Sequence, residues 1–240
     1  MKRNPKYQYV SGSSPTEHGA RTYDIHGYKL PSVTTILAKT KDQSYLTRWK
    51  EKVGNEEAER IKNYSSKRGT AMHKFLEKHI TGVGYEDLTA IGQEARPMAQ
   101  KIIDVGLTPV SEYYGSEVTL YYPGLFAGST DLVCLHNDLP TIIDFKQANR
   151  PKRKEWIEDY YLQIAAYALA HDYGYGSEIQ QGLILVCTPD LYLQEFRFQG
   201  IEMRDWKHKF LKRLDMYFEL QHDEKEQAKV GKINFEQDRI

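Results

Sequence analysis

The sequence predicts an α+β protein with a mixed central β-sheet flanked by helices and a helical region on its N-terminal side. Two observations support this prediction. As far as Gly106, apolar residues recur mostly at the three- to four-residue spacing of helices, and from Val110 onward the period falls to two. The second half of the chain then reads as three strands, a helix, two strands and a helix. Its short links favour antiparallel hairpins.

The N-terminal region, residues 1–106, is expected to contain several amphipathic helices. The first begins after Ser32, whose side chain can cap it, and helical spacing continues as far as Gly54. A further helix through residues 71–80 ends at the glycine that follows it, and another extends from about Ala90 to Val105. The region is expected to pack on the rest of the chain.

The predicted core covers residues 107–222 and precedes a charged tail at residues 223–240. The expected strands are Val110–Tyr122, Phe126–His136, Thr141–Gln147, Gln181–Thr188 and Leu191–Phe198. Helices are expected over about residues 154–173 and 201–221. We expect the whole chain to form one compact domain.

Positive and negative charges balance over the whole chain but are unevenly distributed along it. There are 33 basic and 33 acidic side chains, yet residues 1–70 carry 14 basic and 7 acidic ones, whereas residues 71–145 carry 4 and 10. The balance excludes a protein that binds nucleic acid with a uniformly basic surface, but it leaves a local basic patch open. A basic region beside an acidic one suits a metal-dependent enzyme that acts on a polyanion. Ordinary scatter of charged residues also produces such an uneven distribution.

Cysteine content and hydropathy exclude several other classes of protein. The sequence has two cysteines, Cys134 and Cys187, and neither has a neighbour at metal-ligand spacing. A disulfide framework, a four-thiolate zinc site and a four-cysteine iron–sulfur cluster are therefore excluded, and two buried thiols in a reduced protein are expected. No apolar run has the length of a membrane span, and none follows the basic residues 1–6 as in a signal peptide. We expect a cytoplasmic protein.

A carboxylate and an ammonium group share one face of the third predicted strand. Asp144 and Lys146 are two positions apart, so both side chains lie on the same side. Such a pair is more often a surface ion pair than a catalytic one. Asp131 lies in the preceding strand, however, and a tight hairpin brings the two carboxylates side by side. Because like charges repel unless a cation joins them, this arrangement indicates an oxygen-ligand site for Mg²⁺ or Mn²⁺.

Two predicted helices carry polar pairs on one face. His73 and Glu77 are four residues apart, as are Gln163 and Tyr167. Each pair has an ordinary interpretation, since a lone helical histidine is more often a surface or core residue and Gln with Tyr is typical of a half-buried helix edge. Their order relative to the two aspartates gives them weight.

The ordered set R-G-T-x-x-H (68–73), G-x-x-D (128–131), D-x-K (144–146) and Q-x-x-x-Y (163–167) resembles the RecB-like branch of the PD-(D/E)XK nuclease superfamily. The resemblance covers roughly residues 65–170. Residues 30–37, together with the R-G-T motif, look like those of the mitochondrial genome maintenance exonuclease and related phage exonucleases. Two departures stand out: no proline precedes Asp131, and the cysteine set of the iron–sulfur members is missing.

The resemblance implies a restriction-endonuclease-like core and a role for each matching residue. The implied metal ligands are His73, Asp131, Asp144 and the carbonyl group of Phe145, with Glu117 and Glu77 as further candidates. Lys146 would orient or help to deprotonate the attacking water and stabilise the pentavalent phosphate. Gln163 and Tyr167 would position the DNA strand near the scissile phosphate. The implied cofactor is Mg²⁺ or Mn²⁺, with no iron–sulfur cluster and no small-molecule cofactor.

A basic run directly follows the D-x-K motif, with five basic residues among the nine from Lys146 to Lys154. A solvated loop and helix start is the ordinary interpretation of such a run, but its place beside the motif favours contact with DNA phosphates. The residues expected to bind DNA are Arg68, Arg150, Lys152, Arg153 and Lys154, with Lys67, Tyr64 and Trp49 as additional contributors from the helical region.

The function predicted from these features is a metal-dependent DNA exonuclease that degrades single-stranded ends and leaves 5′-phosphates, where the preference for single strands follows from the resemblance. Two alternatives remain open: a structure-specific endonuclease of the same superfamily, and a non-catalytic DNA-binding or scaffold module. The expected partners are DNA and proteins of replication or recombination. A phage or bacterial origin is the preferred hypothesis.

Overall fold

The computed structural model describes residues 1–12, 16–17, 20–42 and 44–237. The strands are β1 Lys2–Arg3, β2 Thr16–Glu17, β3 Ala20–Ile25, β4 Tyr28–Pro31, β5 Val110–Tyr122, β6 Phe126–His136, β7 Leu139–Gln147, β8 Gln181–Cys187 and β9 Leu193–Gln199. The helices are α1 Val33–Thr40, α2 Ser44–Val53, α3 Asn55–Thr81, α4 Ala90–Lys101, α5 Glu158–Tyr175 and α6 Ile201–Gln237. A π-helical turn, Ile102–Gly106, continues α4, and a 3₁₀ turn, Lys154–Trp156, precedes α5.

The central sheet is mixed, as predicted, and has the strand order β1-β5-β6-β7-β8-β9. Strands β5, β6 and β7 are joined by hairpins and run antiparallel, whereas β7 and β8 are parallel because α5 connects them across one face of the sheet. The pair β8–β9 is again antiparallel. The five predicted core strands agree with the observed ones to within two residues at each end, which confirms the α+β prediction.

Helices cover both faces of the sheet, and the residues of β7 alternate between them. Ile142 packs with α5 and α6 on one face, whereas Ile143 and Phe145 pack with α3 and α4 on the other. Asp144 and Lys146 therefore point to the side of α5, with Phe145 between them pointing to the side of α3. The two helical layers consequently approach the end of β7 from opposite faces.

The N-terminal region contains strands that the prediction of a helical region did not include. Strands β3 and β4 form a hairpin whose turn, His26-Gly27, has positive φ angles of 53° and 82° at its two residues. Tyr23, Ile25 and Leu30 of this hairpin are buried in a cluster with Ala127 of β6. These six- and four-residue strands are too short to show a clear period of two, and the helical signal of the following residues dominates the region.

Helix α1 begins where the sequence predicts it, after Ser32. The Ser32 hydroxyl accepts a hydrogen bond from the backbone N–H of Thr35 at 3.0 Å, and the Thr35 hydroxyl donates to the backbone oxygen of Arg21 at 3.0 Å. The backbone N–H of Ser32 also donates to that oxygen. These bonds fasten the β3–β4 hairpin to the start of α1.

Two of the helices differ in extent from their predictions. Helix α3 is continuous from Asn55 to Thr81, so its N-terminal half and the predicted helix at residues 71–80 are one element. Helix α6 continues to Gln237, so the part of the predicted charged tail that the structure describes is helical. Charged residues without a strong helix breaker are compatible with continued helix, which composition alone does not separate from a tail.

Candidate metal centre and active site

The site lies where β6 and β7 separate. Their pairing ends at Leu132 and Ile143, and beyond this point the Asp131 carboxylate enters the space between the strands. The backbone N–H of Phe145 donates to Asp131 Oδ2 at 2.6 Å, in place of a bond to the neighbouring strand. Asp131 is therefore held in a fixed orientation by the backbone of the strand that carries Asp144 and Lys146.

Helix α3 brings His73 against the opposite side of this opening. His73 Nε2 lies 2.8 Å from the carbonyl oxygen of Phe145, and its Nδ1 lies 3.4 Å from Asp131 Oδ1 and 3.7 Å from Glu117 Oε1. One ligand atom each from His73, Glu117 and Asp131 lie within 4.8 Å of one another. Neighbouring ligands of an octahedral Mg²⁺ are about 3 Å apart, so this nitrogen and oxygen donor set fits a divalent cation.

Burial and ion pairing act in opposite directions on His73. Burial opposes its protonated form, but the Asp131 carboxylate and the contact with Glu117 outweigh burial and raise the pKa of His73 to about 10. Burial likewise opposes the charge of Asp131, yet His73 and Lys146 hold the pKa of Asp131 below its ordinary value. The site therefore favours an anionic Asp131 with a positive charge beside it.

Glu117 reaches the cluster through an unusual backbone conformation. It lies in β5 between Ser116, which pairs with Leu132, and Val118, which pairs with Thr130, so it stands opposite Asp131. Its φ angle is 53°, in the left-handed region that disfavours residues with a Cβ atom. Strain of this kind concentrates at functional sites. Of the two further ligand candidates, Glu117 belongs to the cluster, whereas Glu77 lines the groove beside it.

This strain can be measured with a pair of variants. Glu117→Gly should have a higher free energy of unfolding than Glu117→Ala by about 1 kcal/mol, because glycine adopts a positive φ without steric cost. Urea denaturation of the metal-free proteins measures the difference. At the neighbouring Ser116, which does not share this conformation, the order should reverse, and alanine should be the more stable choice. The same order at both positions would contradict strain at Glu117.

Asp144 and Lys146 form a buried ion pair next to the cluster. Lys146 Nζ lies 2.8 Å from Asp144 Oδ1 and 2.6 Å from Oδ2, and Asp144 is 1% exposed. Burial raises the pKa of Asp144. Burial opposes the charge of Lys146, but the two aspartates outweigh it and raise the pKa of Lys146. In this arrangement Asp144 pairs with Lys146, while Glu117 completes the three-residue cluster.

Helix α5 presents a line of polar groups to this ion pair. Lys146 Nζ donates to Gln163 Oε1 at 3.3 Å, and Gln163 Nε2 donates to the Tyr167 hydroxyl at 3.1 Å. A Cβ atom added to Gly128 would lie 2.5 Å from the ring of Tyr167, so the glycine of the G-x-x-D motif makes room for this tyrosine. Lys146 also lies 5.0 Å from the centre of the Tyr160 ring. Sequence reasoning missed Tyr160, although it precedes Gln163 by one helical turn.

Arg68, expected to contact DNA, is instead buried between α3, α4 and the end of β7. It is 3% exposed. Its guanidinium group donates to Glu94 at 2.6 Å, to Gln147 at 3.0 and 2.6 Å, and to Asn149. Gln147 in turn donates to the backbone oxygen of Ser65. These bonds couple the helix that carries His73 to the strand that carries Asp144 and Lys146. Sequence reasoning did not assign Glu94, Gln147 or Asn149.

Removal of this guanidinium group should destabilise the fold. Arg68→Met should lower the free energy of unfolding by about 3 kcal/mol, because it removes a buried guanidinium group whose hydrogen bonds join α3 to the half-buried Glu94 and Gln147. Arg68→Lys should recover little of the lost free energy of unfolding, since one ammonium group cannot replace the planar guanidinium group, which donates to three side chains. Arg60→Met is the control on the same helix: its pair with Glu57 is exposed, and its loss should cost less than about 1 kcal/mol. Urea denaturation measures these losses, and an equal loss of unfolding free energy in Arg68→Met and Arg60→Met would contradict the coupling of α3 to β7 through Arg68.

An open groove leads to the site along one face of α3. Small side chains and a glycine of that helix form one wall, and Arg21 of the β3–β4 hairpin lies on its rim. His73, Glu117 and Lys146 line its floor. Tyr64, expected as a DNA contact, donates to Glu94 instead of lining this groove.

The basic residues after β7 lie on the protein surface. Arg150, Arg153 and Lys154 are exposed and Lys152 is half-buried. Lys154 pairs with Glu202 at 2.7 Å, whereas no acidic partner of Arg150, Lys152 or Arg153 is found in the described part of the chain. Three of the four surface residues predicted to bind DNA therefore carry charge that is not neutralised locally.

Both cysteines are buried and free, as expected. Burial raises the pKa of both thiols, so neither is poised as a nucleophile. In the residues that the structure describes, no helix is both long enough and apolar enough to cross a membrane.

Comparisons with solved structures find exonucleases among the matches, at low sequence identity and low TM-score. No protein-family model matches the chain, and no curated protein sequence matches it. A candidate exonuclease from Eubacterium rectale is 13% identical, with a TM-score of 0.45 over 62% of this chain and 64% of that one. The alkaline exonuclease of Laribacter hongkongensis is 16% identical, with a TM-score of 0.33 over 67% of this chain and 85% of that one. The chain thus spans about two thirds of the Eubacterium rectale protein.

Proposed function

We propose that the protein is a divalent-metal-dependent nuclease that hydrolyses phosphodiester bonds of DNA. The observation that carries this proposal is the cluster of His73, Glu117 and Asp131 beside the buried Asp144–Lys146 pair. Anionic oxygens that bind a cation, next to a fixed ammonium group, are what an attack on a phosphodiester requires, because negative charge develops on the phosphate in the transition state.

Mg²⁺ or Mn²⁺ fits the donors that this chain offers. The imidazole of His73, through Nδ1, and the carboxylates of Glu117 and Asp131 would hold it. The carbonyl oxygen of Phe145 lies 2.8 Å from His73 Nε2 and would become a ligand only after its release from the imidazole, and Asp144 would be a further ligand once Lys146 turns to the phosphate. When bound, the cation supplies Lewis acidity, which neutralises phosphate charge and lowers the pKa of a water ligand. Protonated His73 pairs with Asp131 in the metal-free protein, so the imidazole gives up a proton before it can serve as a ligand.

Lys146 is the residue of this site best suited to stabilise the transition state. The neighbouring aspartates hold the pKa of Lys146 above its ordinary value, so it acts as a cation and hydrogen-bond donor more readily than as a base. Gln163 fixes the ammonium group by a hydrogen bond, and Tyr167 fixes Gln163. We infer that these two residues orient Lys146 and the scissile phosphate.

We further propose that the substrate is single-stranded DNA, attacked from an end, and that the products carry 5′-phosphates. The open groove beside α3 supports an extended polyanion as substrate, as do Arg150, Lys152 and Arg153, which have no acidic partner among the described residues. A structure-specific endonuclease and a non-catalytic DNA-binding module are the alternatives. A role in DNA replication or recombination, in a phage or bacterium, would fit any of these activities.

Digestion of end-labelled DNA tests the proposal. Linear single-stranded and duplex substrates, each labelled at the 5′ or 3′ end, are incubated with and without Mg²⁺, beside a circular single strand. The proposal expects Mg²⁺-dependent release of nucleotides from the linear single strand and an intact circle. Cleavage of the circle would favour the endonuclease. If Mg²⁺ supports no cleavage and titration detects no Mg²⁺ site, the protein is the non-catalytic module.

DNA binding without cleavage gives an independent measurement. Affinity for DNA should rise when Ca²⁺, used in place of Mg²⁺, is added to the metal-free protein, because the cation offsets the acidic cluster. It should fall as monovalent salt is raised, since phosphate contacts release counterions. A DNA affinity that changes with neither the divalent cation nor the monovalent salt would contradict a polyanion-binding site at the metal centre.

A further inference from the structure

The segment between β7 and α5, residues 148–157, holds an exposed tryptophan on a fixed backbone. Trp156 is 62% exposed, whereas tryptophan is highly buried on average in folded proteins. It ends the 3₁₀ turn Lys154–Trp156, and the guanidinium group of Arg153 lies 5.2 Å from the centre of its ring. One face of the ring thus contacts a cation, and much of the rest of the side chain is open to solvent.

The backbone of this segment is fixed at three points. The N–H of Ala148 donates to the backbone oxygen of Cys187 at 3.1 Å, and Ile157 is buried to 1% exposure at the other end. Between them, Lys152 makes two backbone hydrogen bonds with the Gln194 side chain of β9, at 2.6 and 3.0 Å. A ring on such a support loses little conformational freedom when it binds a partner.

The register of the sheet places this segment near the proposed catalytic residues. Lys146 pairs with Val186, and Val186 pairs with Gln194, which holds Lys152. Neighbouring strands are about 4.8 Å apart, so Lys152, two strands away, lies roughly 10 Å from Lys146 across the sheet. That distance corresponds to one or two nucleotides of an extended strand.

We propose that Trp156 stacks on an unpaired base of single-stranded DNA, while Arg150 and Arg153 hold the phosphates on either side of that base. The inference rests on the proposed nuclease function and adds how the protein selects unpaired DNA. Aromatic rings bind bases by their faces, which are accessible in single strands and are covered by stacking in a duplex. Cations without acidic partners beside the ring favour a nucleic acid over an apolar protein surface.

Tryptophan fluorescence tests this inference without cleavage. The chain has three tryptophans, Trp49, Trp156 and Trp206. In EDTA, oligothymidylate of about 20 nucleotides should quench the fluorescence of the wild-type protein, and Trp156→Phe should lose this quenching. Trp156→Ala should bind the oligonucleotide about five- to a hundredfold more weakly, the range that removal of one stacking ring produces. Trp156→Phe, which keeps an aromatic face, should bind more tightly than the alanine variant.

A control and a second substrate complete the experiment. Tyr173→Ala removes an exposed aromatic ring near the C-terminal end of α5, ten residues beyond Gln163, and should leave DNA affinity unchanged. Blunt duplex should bind Trp156→Ala and wild type alike. Unchanged affinity of Trp156→Ala for the oligonucleotide, or an equal loss for the duplex, would overturn the inference. Quenching by DNA in a protein that Mg²⁺ does not activate would instead overturn the nuclease function alone.

Discussion

Replacing Lys146 with methionine is expected to lower the rate of Mg²⁺-dependent DNA cleavage by about a thousandfold. Methionine keeps an unbranched side chain, one atom shorter, but removes the ammonium group that pairs with both oxygens of Asp144 and reaches Gln163. The pKa of Lys146 is raised because its aspartate neighbours outweigh burial, so the variant removes a positive charge that is present at neutral pH. Single-turnover digestion of end-labelled DNA measures the loss.

The chain offers a matched control for this variant. Lys207 pairs with Asp172 at 2.8 Å, and the exposed fractions of the two lysine side chains are 19% for Lys207 and 21% for Lys146. Lys207→Met therefore removes a lysine of similar exposure from an ion pair away from the site and should leave cleavage unchanged. Equal cleavage by the two variants would exclude Lys146 from the reaction.

The Lys146→Met variant should also lose stability in a pH-dependent way. It leaves Asp144 buried without a cation, which costs about 3 kcal/mol when the carboxyl group is charged. Burial already raises the pKa of Asp144, and loss of Lys146 raises it further, so protonation relieves the cost at low pH. The free energy of unfolding of the variant should lie nearest that of wild type below about pH 6, the pKa of Asp144 in the wild-type protein, and fall behind it as pH rises above 6. A constant difference across this range would contradict the coupling of the two side chains.

Much of the fold could be predicted from the sequence because the core strands are runs of apolar and β-branched residues bounded by turn residues. The strands that carry Asp131 and Asp144 are bounded by turn residues, and their observed ends differ from prediction by at most two residues. The β3–β4 hairpin escaped prediction because its strands are short. Its attachment depends on contacts of Ser32 and Thr35 with Arg21, which are distant enough in sequence to leave no periodic signal.

Some features of the site could likewise be predicted from local sequence spacing, whereas others depend on long-range contacts. The pairing of Asp144 with Lys146 follows from strand alternation, and that of Gln163 with Tyr167 follows from helix spacing. The burial of Arg68 does not follow from any local spacing, because its hydrogen-bond partners come from three separate parts of the chain. Glu117 reaches the cluster of His73 and Asp131 through a left-handed φ angle. The identity of the residue, a glutamate, does not predict that backbone conformation.

Asp131→Asn is expected to weaken Mn²⁺ binding at least about a hundredfold and to lower cleavage in parallel. The amide has nearly the same shape, and its oxygen can still accept the hydrogen bond that Phe145 N–H donates at 2.6 Å, so the backbone of β7 keeps its position. What is lost is the negative charge at the centre of the cluster. Isothermal titration of the metal-free protein with Mn²⁺ measures the change in affinity.

Asp172→Asn is the matched control for this substitution. Asp172 also accepts a backbone hydrogen bond, from Ile179 at 2.7 Å, and pairs with a lysine, but it lies near the C-terminal end of α5. It should lower stability and leave Mn²⁺ affinity unchanged. If both aspartates proved equally dispensable for Mn²⁺ binding, the metal would have to lie outside the cluster of His73, Glu117 and Asp131.

The pKa of His73 separates loss of a ligand from loss of the fold around it. In the metal-free protein, burial lowers this pKa and Asp131 raises it, with a net value of about 10. Asp131→Asn removes the largest contribution that favours the imidazolium, so the pKa of His73 should fall, as NMR titration of the ring can measure. A lower pKa together with weaker Mn²⁺ binding would mean that one carboxylate holds a proton on His73 without metal and binds the cation when metal is present. A lower pKa with unchanged Mn²⁺ affinity would contradict that dual role and leave Asp131 as an electrostatic partner of the histidine only.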